Sequence, residues 1–224
     1  MTIGRALRQA GVDFYFNSWR FVPANVVWGL GLLLVLFLGL AWPPALVLGV
    51  LLAIPVAGIH RMAALIVRGE HASFSDFLGG MRQFALPATA ISIGAAMIVA
   101  ILTTNVVIGF ETGGPLGWFL GATALYGEVA VAMFLVAIWP ILVDPRHEAV
   151  PLRRRLVLAG LVVIGRPGRL FLLTLLILVM LAISTVLLAA IVLVAVGYAS
   201  LVACRWVLPT VDELESRYEA ARAR

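Results

Sequence analysis

From Leu170 to Trp206 the chain runs for 37 residues with Arg205 as its only charged side chain. As a single helix at 1.5 Å per residue it would reach roughly 55 Å, against a bilayer hydrocarbon core of about 30 Å. A segment of this kind satisfies its own backbone hydrogen bonds in a medium without water, which a helix does. It is therefore two spans with a turn, or one strongly tilted helix. The turn is expected near Ser184 to Ala190, although no Gly or Pro marks it.

The rest of the chain repeats the pattern. Apolar runs long enough to cross a bilayer extend over about 21–41, 45–67, 86–110 and 116–143, and the terminal run divides into about 170–186 and 188–208. Trp42, Pro43 and Pro44 break the first from the second, and "ETGGPLG" separates the third from the fourth. Hydrophobic residues make up 63% of the chain and charged residues 12%, about half the charged share of a soluble domain. The fold class expected is an all-α polytopic membrane bundle: one domain over 1–224, six transmembrane helices and two short cytoplasmic interfacial helices. The first run is too long for a signal-peptide core and lacks a convincing cleavage site, so it is read as an uncleaved helix.

Arginine placement gives an independent check on the count. All sixteen basic residues are Arg, and six spans with a cytoplasmic amino terminus put every one in a cytoplasmic segment or at an inner helix end. Five spans would leave Arg217, Arg222 and Arg224 outside. The same spread along segment ends argues against nucleic acid as a partner; lipid is the expected surrounding. Trp19, Trp42, Trp118, Trp139 and Trp206 fall near span ends, the position of an interfacial belt.

Two connections carry most of the amphipathic content. In "IVRGEHASFSDFLGGMRQF", Ser73 precedes Asp76 by capping-box spacing, and Phe74, Phe77, Leu78, Met81 and Phe84 recur at helical intervals away from Arg82. An interfacial helix is expected over about 73–84, serving as a solvated connector or as a docking surface. A second is expected over about 151–164, opening at Pro151, carrying Arg153, Arg154 and Arg155, and stopped by "RPGR". Each follows a span with a proline, Pro55 or Pro140, so a parallel duplication is conceivable.

The run "RMAALIVRGEHASFSDFLGGMRQF" resembles the hallmark segment of the YesL-like family of bacterial integral membrane proteins, a family of unknown function. The proline-ended fourth span and the arginine-rich connection after it fit the same resemblance. It implies a bacterial membrane protein working near carbohydrate import, with no catalytic residues to carry over; the plasma membrane with both termini cytoplasmic is the location expected from the arginine placement. His60 and Arg61 depart from many members. A transport permease or its ATPase is the implied partner, met through Phe74, Phe77, Met81, Arg82, Arg153, Arg154 and Arg155. The chain itself does not read as an ATP-driven importer's permease, because "LVLAGLVVIGRPGRLF" lacks both the acidic start and the Leu-Pro end of the coupling loop.

Chemistry is sparse. The single Cys204 excludes an intrachain disulfide, and His60, His71 and His147 have no metal-ligand spacing. No phosphate loop or nucleophile arrangement is present, so neither a cofactor nor enzymatic activity is expected. Glu128 is the only acid inside a span; Asn105 lies at similar depth, within reach of a hydrogen bond. That pair is the basis for the alternative of a small-solute transporter, set against a structural glutamate. His60 and Arg61 lie toward the inner end of the second span, where His60 packs or hydrogen-bonds a neighbour and Arg61 snorkels.

Overall fold

The computed structural model describes residues 2–187 and 190–222, and among these the only regular structure is helical. Helix α1 spans Ile3–Ala41, α2 Ala53–Val67, α3 Phe74–Thr112, α4 Gly114–Val143, α5 Leu152–Gly165, α6 Pro167–Val186 and α7 Val196–Arg222. A 3-10 stretch, Pro43–Leu52, leads into α2, and a π-helical turn, Ile191–Ala195, leads into α7. Among the described residues six helical segments are long and apolar enough to cross a membrane; the 3-10 and π stretches count with α2 and α7. Residues 188–189, where the sixth span was expected to begin, lie outside the described residues; α6 ends at Val186, inside the expected turn.

Two expected boundaries change. The first helix begins at Ile3 rather than near residue 21. Ala6, Ala10, Phe21 and Ala24 form a buried stripe continuous with the apolar run. The Tyr198 hydroxyl of α7 donates to the Leu7 carbonyl (3.2 Å), which ties the early turns to the bundle. The segment 73–84 is not a separate helix. It is the opening of the 39-residue α3, which continues through Pro87. Its start is as expected: the Asp76 carboxylate accepts from the Ser73 backbone N–H at 2.7 Å and from its hydroxyl at 2.5 Å. The helix expected at 151–164 is α5, stopped at Arg166 before Pro167.

Small residues set the closest approaches. A Cβ on Gly58 of α2 would lie 2.6 Å from the Phe77 carbonyl of α3, and one on Gly80 would lie 3.2 Å from the Gly58 Cα, so the two backbones touch. At the other end Gly113 and Gly114 turn the chain at φ +66° and +68°, values that side-chain-bearing residues avoid. Trp206, expected in the belt, is instead fully buried in the core, whereas Trp19, Trp42 and Trp118 are exposed.

A residue of α1 interrupts the backbone ladder that leads into α7. Asn25 is fully buried; its Nδ2 donates to the Leu193 carbonyl (3.1 Å) and its Oδ1 accepts from the Gly197 N–H (2.9 Å). Those two backbone groups are four apart and would bond each other in a regular α-helix. The amide has inserted into the ladder beside the π turn and leaves neither backbone group stranded.

Candidate functional site

Residues from the C-terminal ends of α2 and α4 and from the C-terminal half of α7 meet in one charged cluster. Arg68, at the end of α2, donates Nε to Asp144 Oδ1 (3.0 Å) and Nη2 to Asp144 Oδ2, and it reaches Asp212 of α7 through Nη1 (2.6 Å) and Nη2 (3.0 Å). Asp144, just past α4, has no exposed surface. His147 places Nδ1 2.9 Å from Asp144 Oδ2 and Nε2 3.2 Å from Glu215 Oε2. Nearby, Arg205 of α7 pairs with Asp13 of α1, its Nε donating at 2.6 Å.

The electrostatics follow from these contacts. Burial alone would raise the Asp144 carboxyl, but hydrogen bonds from His147 and Arg68, with the guanidinium charge, hold it at about 2. Asp144 accepting from His147 raises the imidazole above its ordinary value; burial opposes this and Glu215 adds to it. The charged imidazolium, with a donor on each nitrogen, is the form two carboxylates select. Burial lowers Arg68, yet the two carboxylates more than reverse that and raise it further above the arginine range.

A second set of arginines closes the end of α4. Arg155 donates Nη1 to the Leu142 carbonyl (2.5 Å), Nη2 to that of Glu148 (2.8 Å) and Nε to that of Val150 (2.9 Å). Arg61 donates Nη1 to the Val143 carbonyl (2.9 Å) and pairs with Glu148. The last carbonyls of a helix have no intrahelical donor, and cations suit that end of the dipole. Arg155, expected on a docking face, is thus buried and fully engaged within the chain.

The remaining expected residues separate. Phe77 is fully buried against Gly58, Phe74 and Met81 are half-buried on the core, and Arg82, Arg153 and Arg154 are exposed. The apolar stripe of 74–84 therefore covers α2 with much of its surface. Glu128 accepts from Thr103 at 2.6 Å rather than from Asn105, because Thr103 on α3 carries the nearer donor. Asn105 is half-buried on the same helix. His60 is buried, its Nδ1 3.0 Å from the Val56 carbonyl and 3.1 Å from Ser200 Oγ, and its ring lies 6.0 Å from that of Trp139. Among the described residues no group of three or more His, Cys, Asp or Glu is placed to hold a metal.

Sequence reasoning missed the Arg68, Asp144, His147, Asp212 and Glu215 cluster. Of its members only Arg68 enters the orientation argument, and His147 is weighed only for metal spacing; the one available signal is opposite charge beside the ends of three apolar runs. No family model, no curated protein and no solved structure matches this chain.

Proposed function

We propose that this chain is a multi-pass protein of a bacterial plasma membrane, with both termini and the charged cluster on the cytoplasmic side. In this reading it serves as a non-catalytic accessory or assembly partner of a carbohydrate uptake system. The observation that carries it is a division among the arginines. Arg61, Arg68, Arg155 and Arg205 are spent on carboxylates and carbonyls of the chain itself, while Arg82, Arg153 and Arg154 stand exposed. Side chains that hold the bundle together are thereby distinguished from side chains offered outward. The carbohydrate assignment rests on the YesL-like resemblance of the 61–84 segment.

The partner is a permease or its ATPase with an acidic face. Affinity purification of the full-length protein from native membranes in mild detergent, followed by mass spectrometry, should recover it. Arg82→Glu with Arg153→Glu and Arg154→Glu should lose it while the protein stays membrane-inserted. A chain that purifies alone at native expression in several detergents would sink the reading. For the topology, a cysteine at Glu111 in a Cys204→Ser background should react with an impermeant reagent in intact cells.

The transporter alternative keeps one observation in its favour. Glu128 of α4 and Thr103 of α3 form a hydrogen-bonded pair between two long apolar helices. Glu128→Gln should then abolish solute uptake at unchanged membrane levels, and normal uptake would remove this reading.

A further inference from the structure

A cavity of about 320 Å³ lies between α1, α2, α4, α6 and α7. Its wall is mostly hydrocarbon, including Val56, Leu135, Ile177 and Val196, and none of the described residues lining it is Asp, Glu or Arg. Leu178, which lines it, is 50% exposed, so the cavity meets the bundle surface beside α6. His60, on its wall, lies eight residues from Arg68, about 12 Å along the helix from the charged end.

Three polar side chains on that wall have unused hydrogen-bonding capacity. Ser200 donates its one proton to the Val196 carbonyl (2.8 Å), so toward His60 it accepts. The Nδ1 of His60 therefore carries the hydrogen, and the neutral ring keeps Nε2 as an acceptor with no partner among the described residues. Thr174 is 2% exposed and its hydroxyl is unpartnered. Thr104, Thr112, Thr123, Thr185 and Thr210 each donate to the carbonyl four residues back, which Thr174 does not. The indole N–H of Trp28 is likewise unpartnered. Buried polar groups without partners are rare and costly, so two on one cavity, the Thr174 hydroxyl and the Trp28 N–H, require an explanation.

We propose that the cavity binds an uncharged, membrane-dissolved molecule with a hydrocarbon or aromatic body and a single hydroxyl. The hydroxyl accepts from Thr174 or Trp28 and donates to His60 Nε2, while the body fills the apolar wall between Trp28 and Trp139. The volume is at the lower end of small-molecule sites. A free sugar is excluded as occupant, because most of its hydroxyls would be buried without partners. The site is thus independent of the uptake reading above.

The test is equilibrium dialysis of the full-length protein in detergent against 1-naphthol and naphthalene, with protein-free micelles as the blank. Saturable 1-naphthol binding is expected, with naphthalene about tenfold weaker, the usual worth of one good hydrogen bond. Thr174→Val should weaken 1-naphthol several-fold, leave naphthalene unchanged and raise the thermal midpoint, since it removes a buried unpartnered hydroxyl. His60→Leu should also weaken 1-naphthol selectively, and Ala199→Leu, which fills the cavity, should remove both ligands. Binding no greater than the blank, equal binding of the two compounds as for a space occupied by acyl chains, or a lowered midpoint in Thr174→Val would each overturn the proposal.

Discussion

The junctions that follow α2 and α4 look alike in sequence and are held in different ways. After α2 the chain turns at Gly69, with φ +79°, and re-enters helix at the Ser73 cap; α3 then lies against α2 through the Gly58 and Gly80 backbones. After α4 the chain passes through Asp144 and His147 and re-enters helix at Pro151, secured by charge-assisted bonds from Arg68, Arg61 and Arg155. Beyond Arg68, whose side chain belongs to the charged cluster, the first junction is held by shape, with dispersion contacts that salt and pH barely touch. The second is held by ionised groups in a buried setting, where removing one partner strands the other. The two should therefore fail under different perturbations.

The largest expected effect is at the charged junction. Arg68→Met leaves Asp144 buried without its guanidinium, a loss of about 3–5 kcal/mol in comparable buried pairs. Thermal unfolding in detergent, followed by circular dichroism, should show a large drop in midpoint. Arg68→Met combined with Asp144→Leu should recover much of it, because the uncompensated charge goes too. A double variant no better than the single would show that the pair is not the source of the loss.

Next comes the shape-held junction. A Cβ on Gly58 would meet the Phe77 carbonyl at 2.6 Å and its ring at 2.7 Å, and backbone cannot give way as a flexible side chain does. Gly58→Val should cost about 1–3 kcal/mol, as overpacked sites do. Its effect should be the same at low and high salt. A salt-dependent loss would mean that the charged cluster reaches further along α2 than its contacts indicate.

These two junctions also show what could be read from residues alone. The apolar runs, the cap at Ser73 and the bounds of α5 are local properties, so spacing and composition carried them. The continuity of α3 through Pro87 is not local in that sense. "ALPAT" and "GRPGR" each offer a proline, but Pro167 is flanked by Gly165 and Gly168 and follows Arg166, whose guanidinium reaches Glu213 of α7. Tertiary pairing there favours a break, whereas the buried Phe84 and Ala88 on either side of Pro87 favour continuation. Likewise an apolar stripe such as Phe74, Phe77, Met81 and Phe84 has the same period whether its cover is a partner or the chain's own α2. The convergence of residues 68, 144, 147, 212 and 215 is a fact of the folded bundle, invisible to spacing. So was the choice of Thr103 over Asn105 as the donor to Glu128.

A third expectation concerns pH, and it separates the junctions without substitution. His147 is raised in the folded state, so its stabilisation is complete below the ordinary histidine value and is lost as pH rises through the raised one. Asp144 is depressed to about 2, so its contribution is present above the ordinary carboxylate value and lost only as pH falls through the depressed one. Between those windows the charged junction is at its tightest. Raising pH from 6 to 9 should lower the midpoint of the wild type, and His147→Gln should flatten that dependence. In Gly58→Val the pH dependence should be that of the wild type. A His147→Gln profile that still falls over the same range would assign the titration to another group.

The smallest effect belongs to the cap that starts α3. The Ser73 hydroxyl is bonded to Asp76, whose carboxylate holds the Ser73 N–H. Ser73→Ala removes the hydroxyl but leaves the backbone bond, so the loss should be near or below the roughly 1 kcal/mol typical of a cap. It should also stay local. Phe77 and Gly80 are anchored on Gly58 and Arg61 one turn further on, and that contact stops fraying from spreading along α3. Hydrogen exchange followed by mass spectrometry should show faster exchange confined to about 73–77, with the midpoint almost unchanged. Combined with Gly58→Val, which loosens the anchor, the same substitution should let exchange advance toward Phe84. An advance that is equally large without the second change would show that the cap, and not the close approach of α2 and α3, fixes where this helix begins.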